Sequence, residues 1–159
     1  MSAEIQTVLV VDDTPDNLDL MKALLSPHYK VKVAINGEVA LKLVSASAPD
    51  IILLDVMMPG INGYEVCQRL HDNPATREIP VVLVTAISEA MDEGKGFEVG
   101  AVDYISKPVS GPVVLSRVRT HLRGRALKRG IQAALLRLET DDCTGGAEIL
   151  RAALAEGDA

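Results

Sequence analysis

Four short apolar runs in this chain each end at a residue that can handle phosphate or a metal. Thr7–Val11 runs into Asp12 and Asp13, Ile51–Leu54 into Asp55, Val81–Val84 into Thr85, and Tyr104-Ile105 reaches Lys107-Pro108 one residue later. As neighbouring parallel strands, these runs would bring their carboxyl ends to one edge of a sheet, the edge at which open α/β folds place their sites. Side chains scattered from Asp12 to Lys107 would then share one pocket.

The pattern between the runs supports that arrangement. Strand-like stretches rich in Val and Ile, with Lys30–Ile35 as a fifth, alternate with stretches patterned at helical spacing, which is the signature of βα repetition and a parallel sheet. The first helix starts with Thr14 as cap and Pro15 at the first helical position, carries Leu18, Met21 and Leu25 on one face, and ends at Pro27. A second helix is predicted from Gly37 to Ala46 with Ala40, Leu41 and Val44 inward, and a third after Pro59-Gly60 with Val66 and Leu70. Pro74 and Pro80 bracket a polar connection. A soft fourth helix is expected over Ala90–Val99, where Gly94 and Gly96 each cost about 1 kcal/mol of helix propensity relative to Ala.

A last helix begins near Val113 with Leu115, Val118 and Leu122 on one side, and completes a domain spanning residues 5–125. Residues 126–159 read as a helical extension, a linker or a dimerisation segment. They hold two amphipathic pieces, Ile131–Leu138 and Ala147–Leu154, around the breaker cluster Thr140–Gly146, and Gly124 and Gly130 count against one long coiled coil.

With 159 residues and 48% apolar composition the chain can bury a sizeable core without staples. Cys67 and Cys143 have no metal-knuckle, redox or disulfide spacing and read as ordinary thiols of a reducing cytosol. The start lacks a basic segment ahead of an apolar one and no apolar run is long enough to span a membrane, so a cytoplasmic protein is expected. A formal net charge of -6 argues against broad nucleic-acid binding.

Asp12, Asp13 and Asp55 carry the chemistry. Two unit charges 4 Å apart interact by about 4 kcal/mol at an effective dielectric near 20, so three ionised carboxylates at one sheet edge need compensation. Oxygen ligands with no His or Cys nearby point to Mg²⁺. Lys107 adds a mobile positive charge. The set suits phosphoryl transfer, which is mostly positioning and charge neutralisation. Asp55 is the natural nucleophile. Asp12 and Asp13 would hold the metal with the Met57 backbone carbonyl, Lys107 would pair with one phosphoryl oxygen, and the Thr85 hydroxyl would donate to another.

In order and spacing, Val10-Val11-Asp12-Asp13, Leu54-Asp55-Val56-Met57-Met58-Pro59-Gly60, Thr85-Ala86 and Tyr104-Ile105-Ser106-Lys107-Pro108 resemble the receiver domain of two-component response regulators. The resemblance implies a flavodoxin-like (βα)5 fold with a doubly wound, five-stranded parallel sheet. It also implies Mg²⁺-dependent acceptance of a phosphoryl group on Asp55 from a histidine kinase or histidine phosphotransfer protein, with slow self-dephosphorylation and no separate substrate turnover. In the family the hydroxyl residue, here Thr85, moves inward, and the aromatic, here Tyr104, changes rotamer. The surface formed by the fourth helix, fifth strand and fifth helix is altered in consequence. The Lys107-Pro108 bond is expected to be cis on the same grounds. Homodimerisation through that surface or through the C-terminal extension is a further expectation. The connection Asp72–Pro80 is similar to that of receivers found alone or fused to cyclic-dinucleotide enzymes.

Rival readings are a haloacid-dehalogenase-like phosphohydrolase, whose early DxD-type spacing Asp12-Asp13-Thr14 lacks, and an interaction module without a phosphorylation switch. His28, His71 and His121 stand apart from other ligand types and read as surface or helix-terminal residues. Met57, Met58 and Met91 read as packing residues, and Gly94-Lys95-Gly96 lacks the context of a phosphate loop. The basic stretch Arg117–Arg129 reads as a solvated helix face, and the tail is too short and too poor in aromatics for a DNA-binding effector.

Overall fold

Branched aliphatic residues dominate the strands, and they assemble as parallel β1 (Thr7–Val11), β2 (Lys30–Ala34), β3 (Ile51–Asp55), β4 (Val81–Ala86) and β5 (Asp103–Lys107) in the order β2-β1-β3-β4-β5. The computed structural model describes residues 5–86 and 98–141. From β1 the chain goes outward to β2 and then returns across β1 to β3, so the order reverses between β1 and β3. A crevice opens there at the carboxyl ends of the strands.

Helices α1 (Pro15–Leu25), α2 (Gly37–Ala46) and α3 (Gly63–Asp72) and a last helix (Gly111–Asp141) connect or follow the strands. The inner strands β1, β3 and β4 are buried almost throughout, as expected of a sheet covered on both faces. Edge strand β2 carries Lys30 and Lys32, charges that discourage pairing with another chain. One core packs alternate residues of the strands, Leu9, Val11, Ile52, Leu54 and Leu83, with Ala40 and Val44 of α2 and Val66, Cys67 and Leu70 of α3.

The helix faces follow the expected spacing, with Leu18, Met21 and Leu25 buried in α1. The caps differ from expectation. Thr14 occupies the cap position of α1 but its side chain makes no capping bond. Its backbone N–H donates instead to Asp12 Oδ1 at 2.9 Å. Asn36 and Asn62 accept from the backbone N–H of Val39 and Glu65 at 2.8 and 2.9 Å, capping α2 and α3. The Asp72–Pro80 connection is tied down by Thr76, whose buried hydroxyl donates to the Leu70 carbonyl at 2.6 Å.

Strand β5 is longer than its apolar pair Tyr104-Ile105 suggested, because Asp103, Ser106 and Lys107 also pair in register with β4. The last helix runs unbroken through Gly124 and Gly130. The chain divides into two compact units after Arg119, and the described part of the second unit is helix up to Asp141. Most of the expected fourth helix lies outside the described residues, as do Met91, Gly94-Lys95-Gly96, Cys143 and the piece Ala147–Leu154. No helix among the described residues is long and apolar enough to cross a membrane.

Candidate functional site

Register places the site. Val11 pairs with Leu54, Asp55 with Val84 and Ala86 with Lys107, so the residues that end β1, β3 and β5 lie along one edge. One carboxylate oxygen from each of Asp12, Asp13 and Asp55 falls within 4.8 Å of the other two. Asp12 and Asp55 are buried, at 7% and 3% exposure, while Asp13 faces solvent.

Each buried carboxylate has its own donors. Asp12 Oδ1 accepts from Thr14 N, and Asp12 Oδ2 accepts from Asn17 Nδ2 at 3.2 Å. Asp55 Oδ1 accepts from Met57 N at 3.3 Å and pairs with Lys107 Nζ at 3.1 Å. Lys107 Nζ stands 3.8 Å from Asp12 Oδ2. Lys107 therefore bridges two of the three acids, reaching from the end of β5 past β4 to the Asp55 of β3. Among the described residues, Oδ2 of Asp55 accepts no hydrogen bond.

Burial pushes the Asp55 carboxyl above the usual range, Lys107 pulls it back, and nearby Asp12 adds to the rise. The outcome is a carboxylate short of positive charge. Three carboxylates and one ammonium leave an excess of negative charge, and the donor set is all oxygen, which fits a hard divalent cation. The turn that follows Asp55 passes through Gly60, whose φ of 80° suits glycine, before Asn62 caps α3.

Thr85 is buried at the end of β4, and its hydroxyl donates to the Ala86 carbonyl at 3.4 Å. Tyr104 pairs with Leu83 and Ser106 with Thr85, so Thr85 and Tyr104 lie on the same face of the sheet as diagonal neighbours. Tyr104 is half-buried against the core. The Lys107-Pro108 peptide is cis, as the resemblance implied. Met57 is 63% exposed and does not pack, whereas Met58 is buried. The reason is alternation: after Asp55 the chain leaves the sheet and successive side chains turn in opposite directions. His28 and His71 are exposed, as expected.

Sequence reasoning missed Asn17. The available signal was an amide in the first turn of a Pro-initiated helix, five positions after a strand-end aspartate.

A family model described as the response regulator receiver domain matches residues 8–119. The chain belongs to this family. Its acidic pocket of Asp12, Asp13 and Asp55 is that of a two-component receiver. The receiver is 47% identical over 117 residues to Response regulator PleD of Caulobacter vibrioides, covering 73% of this chain and 26% of that protein. It is also 47% identical over 122 residues to a Vibrio cholerae protein named "Probable cyclic di-GMP phosphodiesterase", covering 77% of this chain and 28% of that one. It thus spans little more than a quarter of the length of these curated relatives.

Among solved structures, the signal receiver domain of a signal transduction histidine kinase from Syntrophus aciditrophicus matches with a TM-score of 0.70 at 36% identity, covering 75% of this chain and 91% of that one. The receiver domain of the Francisella response regulator 1452 matches with a TM-score of 0.69 at 27% identity, covering 74% and 97%.

Proposed function

We propose that this receiver accepts a phosphoryl group on Asp55 from a histidine kinase or histidine phosphotransfer protein, in a Mg²⁺-dependent reaction, and passes the event on through Thr85 and Tyr104. The observation that carries the reading is the Asp55 carboxylate itself. One oxygen is held by Lys107 at 3.1 Å and by the Met57 amide, which leaves Oδ2 uncommitted for attack on phosphorus. As the new O–P bond forms, the P–N bond of a phosphohistidine breaks and its electron pair leaves on the imidazole nitrogen.

Asp12, Asp13 and Asp55, with the Met57 carbonyl, are the residues that would hold Mg²⁺, which supplies charge neutralisation for the phosphoryl oxygens. Lys107 then has a second role. Paired with Asp55 before transfer, it is within reach of a phosphoryl oxygen afterwards. Thr85 offers the hydroxyl that would follow another oxygen, and Tyr104, diagonal to it on the same face, is the side chain best placed to feel that movement.

Incubation with Mg²⁺ and acetyl phosphate should add one acid-labile phosphoryl group to the intact chain. Persistence of that mass shift in Asp55→Asn would remove Asp55 from its role.

Residues 126–159 we assign to a linker or dimerisation segment, and the partners are expected in the cytoplasm. Support comes from Leu127 and Leu135, exposed at 46% and 42% on the last helix. Truncation after Arg129 should reduce self-association measured by light scattering, and an unchanged monomer in both forms would reject the dimer. For the output we favour cyclic-dinucleotide turnover, on the 47% identity to the Vibrio cholerae protein. Equal cyclic di-GMP levels in cells carrying wild type and Asp55→Asn would count against it.

A further inference from the structure

A buried carboxylate is costly unless its oxygens find donors, and Asp12 finds one for each. Thr14 N serves Oδ1 at 2.9 Å and Asn17 Nδ2 serves Oδ2 at 3.2 Å. The donating atom of Asn17 follows from its partner, since an ionised carboxylate only accepts. Asn17 is itself fixed, because it lies in the first turn of α1, two residues after Pro15, with its backbone N–H donating to the Thr14 carbonyl at 3.1 Å. Lys107 is the competing attraction, 3.8 Å from the same Oδ2.

We infer that Asn17 is a positioning residue for the cation site, holding the Asp12 carboxylate in the orientation that keeps one of its oxygens within 4.8 Å of one oxygen each of Asp13 and Asp55. Without the amide, Asp12 keeps only the Thr14 N–H on Oδ1, its Oδ2 can turn toward Lys107, and the three carboxylates no longer present a fixed set. The remaining lone pairs of Asp12 leave room for a cation beside the amide, so Asn17 orients the ligand without blocking it.

Asn17 also lines, with Leu20, Met21, Pro108 and Val109, a cavity of about 170 Å³ beside Asp12 and Lys107. Water entering there can replace the lost donor but not its fixed direction. The effect therefore belongs to metal affinity. This inference rests on the Mg²⁺ reading above.

The test is direct titration of the full chain with Mg²⁺ by calorimetry, without phosphodonor, for wild type, Asn17→Leu and Asn17→Gln. Outer-sphere partners typically contribute 10- to 100-fold to metal affinity, and for a water-accessible one we expect Asn17→Leu to weaken binding about 10-fold. Asn17→Gln, which keeps an amide donor with longer reach, should fall between the two. With acetyl phosphate, the Mg²⁺ concentration for half-maximal phosphorylation should rise in Asn17→Leu while the limiting rate at saturating Mg²⁺ is kept. A thermal melt in metal-free buffer checks the fold, and if the leucine variant does not fold, Asn17→Ala, which also lacks a side-chain donor, carries the same expectation. Unchanged Mg²⁺ affinity in a folded donor-less variant overturns the role of Asn17, as does a drop in limiting rate without a change in affinity. A wild type that takes up no Mg²⁺ instead overturns the metal reading on which the role rests.

Discussion

Gly63, the first residue of α3, lies against the backbone of Asp55. A Cβ at position 63 would strike the Asp55 carbonyl oxygen and come within 2.8 Å of the Val56 Cα. The Gly63 N–H also donates to the Val56 carbonyl at 2.9 Å, so helix and strand are locked at this point. Neither backbone can yield without moving Asp55. Gly63→Ala should therefore destabilise the fold by about 1–3 kcal/mol, the usual range for overpacking, as measured by urea unfolding. A variant of wild-type stability would mean that α3 can slide along its axis.

Asp55 gives the receiver a stability that depends on pH. Its carboxyl is held above the ordinary range, chiefly by burial, so the folded state binds this proton more tightly than the unfolded chain does. The contribution is fully present below the unfolded value of about 3.9 and is lost as pH rises through the higher folded value. At neutral pH, ionised Asp55 thus costs stability. Asp55→Asn should melt at a higher temperature than wild type at pH 7, by roughly 2–4 °C for each kcal/mol relieved, and the gap should close toward pH 4. Equal melting temperatures across that range would contradict this account.

Magnesium should act on the same imbalance. A ligand at 100 times its dissociation constant stabilises the folded state by about 2.7 kcal/mol, so saturating Mg²⁺ should raise the melting temperature of wild type and EDTA should reverse the rise. Asp13→Asn, which removes the exposed carboxylate of the set, should reduce the gain, and calorimetric melts with and without metal would show it.

Cys67 should be inert in the native state. It is 1% exposed, its thiol donates to the Val99 carbonyl at 3.4 Å, and burial pushes it up to about 12. Iodoacetamide at pH 8 should leave the Cys67 peptide unmodified until denaturant is added, as read by peptide mass spectrometry.

Loss of the α2 cap should be felt without touching the acids. Asn36→Ala removes the acceptor for Val39 N and is expected to cost about 1 kcal/mol in urea unfolding. Mg²⁺ affinity should be unaltered.

Much of the fold was legible because the inner strands are runs of buried aliphatics and Pro15, Pro49 and Pro80 punctuate the turns. The five acidic, basic and hydroxyl residues at strand ends were legible for the same reason: each follows a strand that reads plainly. What escaped depends on partners distant in sequence or on weak local signals. Strand β5 gains its polar ends from pairing with β4, which no local pattern announces. Gly124 and Gly130 count against one long coiled coil, and the last helix continues through both to Asp141, within the helical extension expected over residues 126–159. Thr14 looks like a capping residue, but Asp12, two positions earlier, accepts the bond from the Thr14 N–H. That substitution ties a metal-site candidate to the start of α1, and Asn17 completes the tie.

The register of the sheet sets a tolerance for change. Side chains alternate faces along a strand, so deleting one residue within β3 would turn Asp55 away from Asp12 and Lys107 while leaving the hydrogen-bonded ladder able to re-form. A deletion in the Asp72–Pro80 connection would act on the turn that Thr76 ties to the Leu70 carbonyl and would not reverse the faces along β3. Strand lengths in this receiver act as a ruler for its chemistry, and its loops are where length can vary.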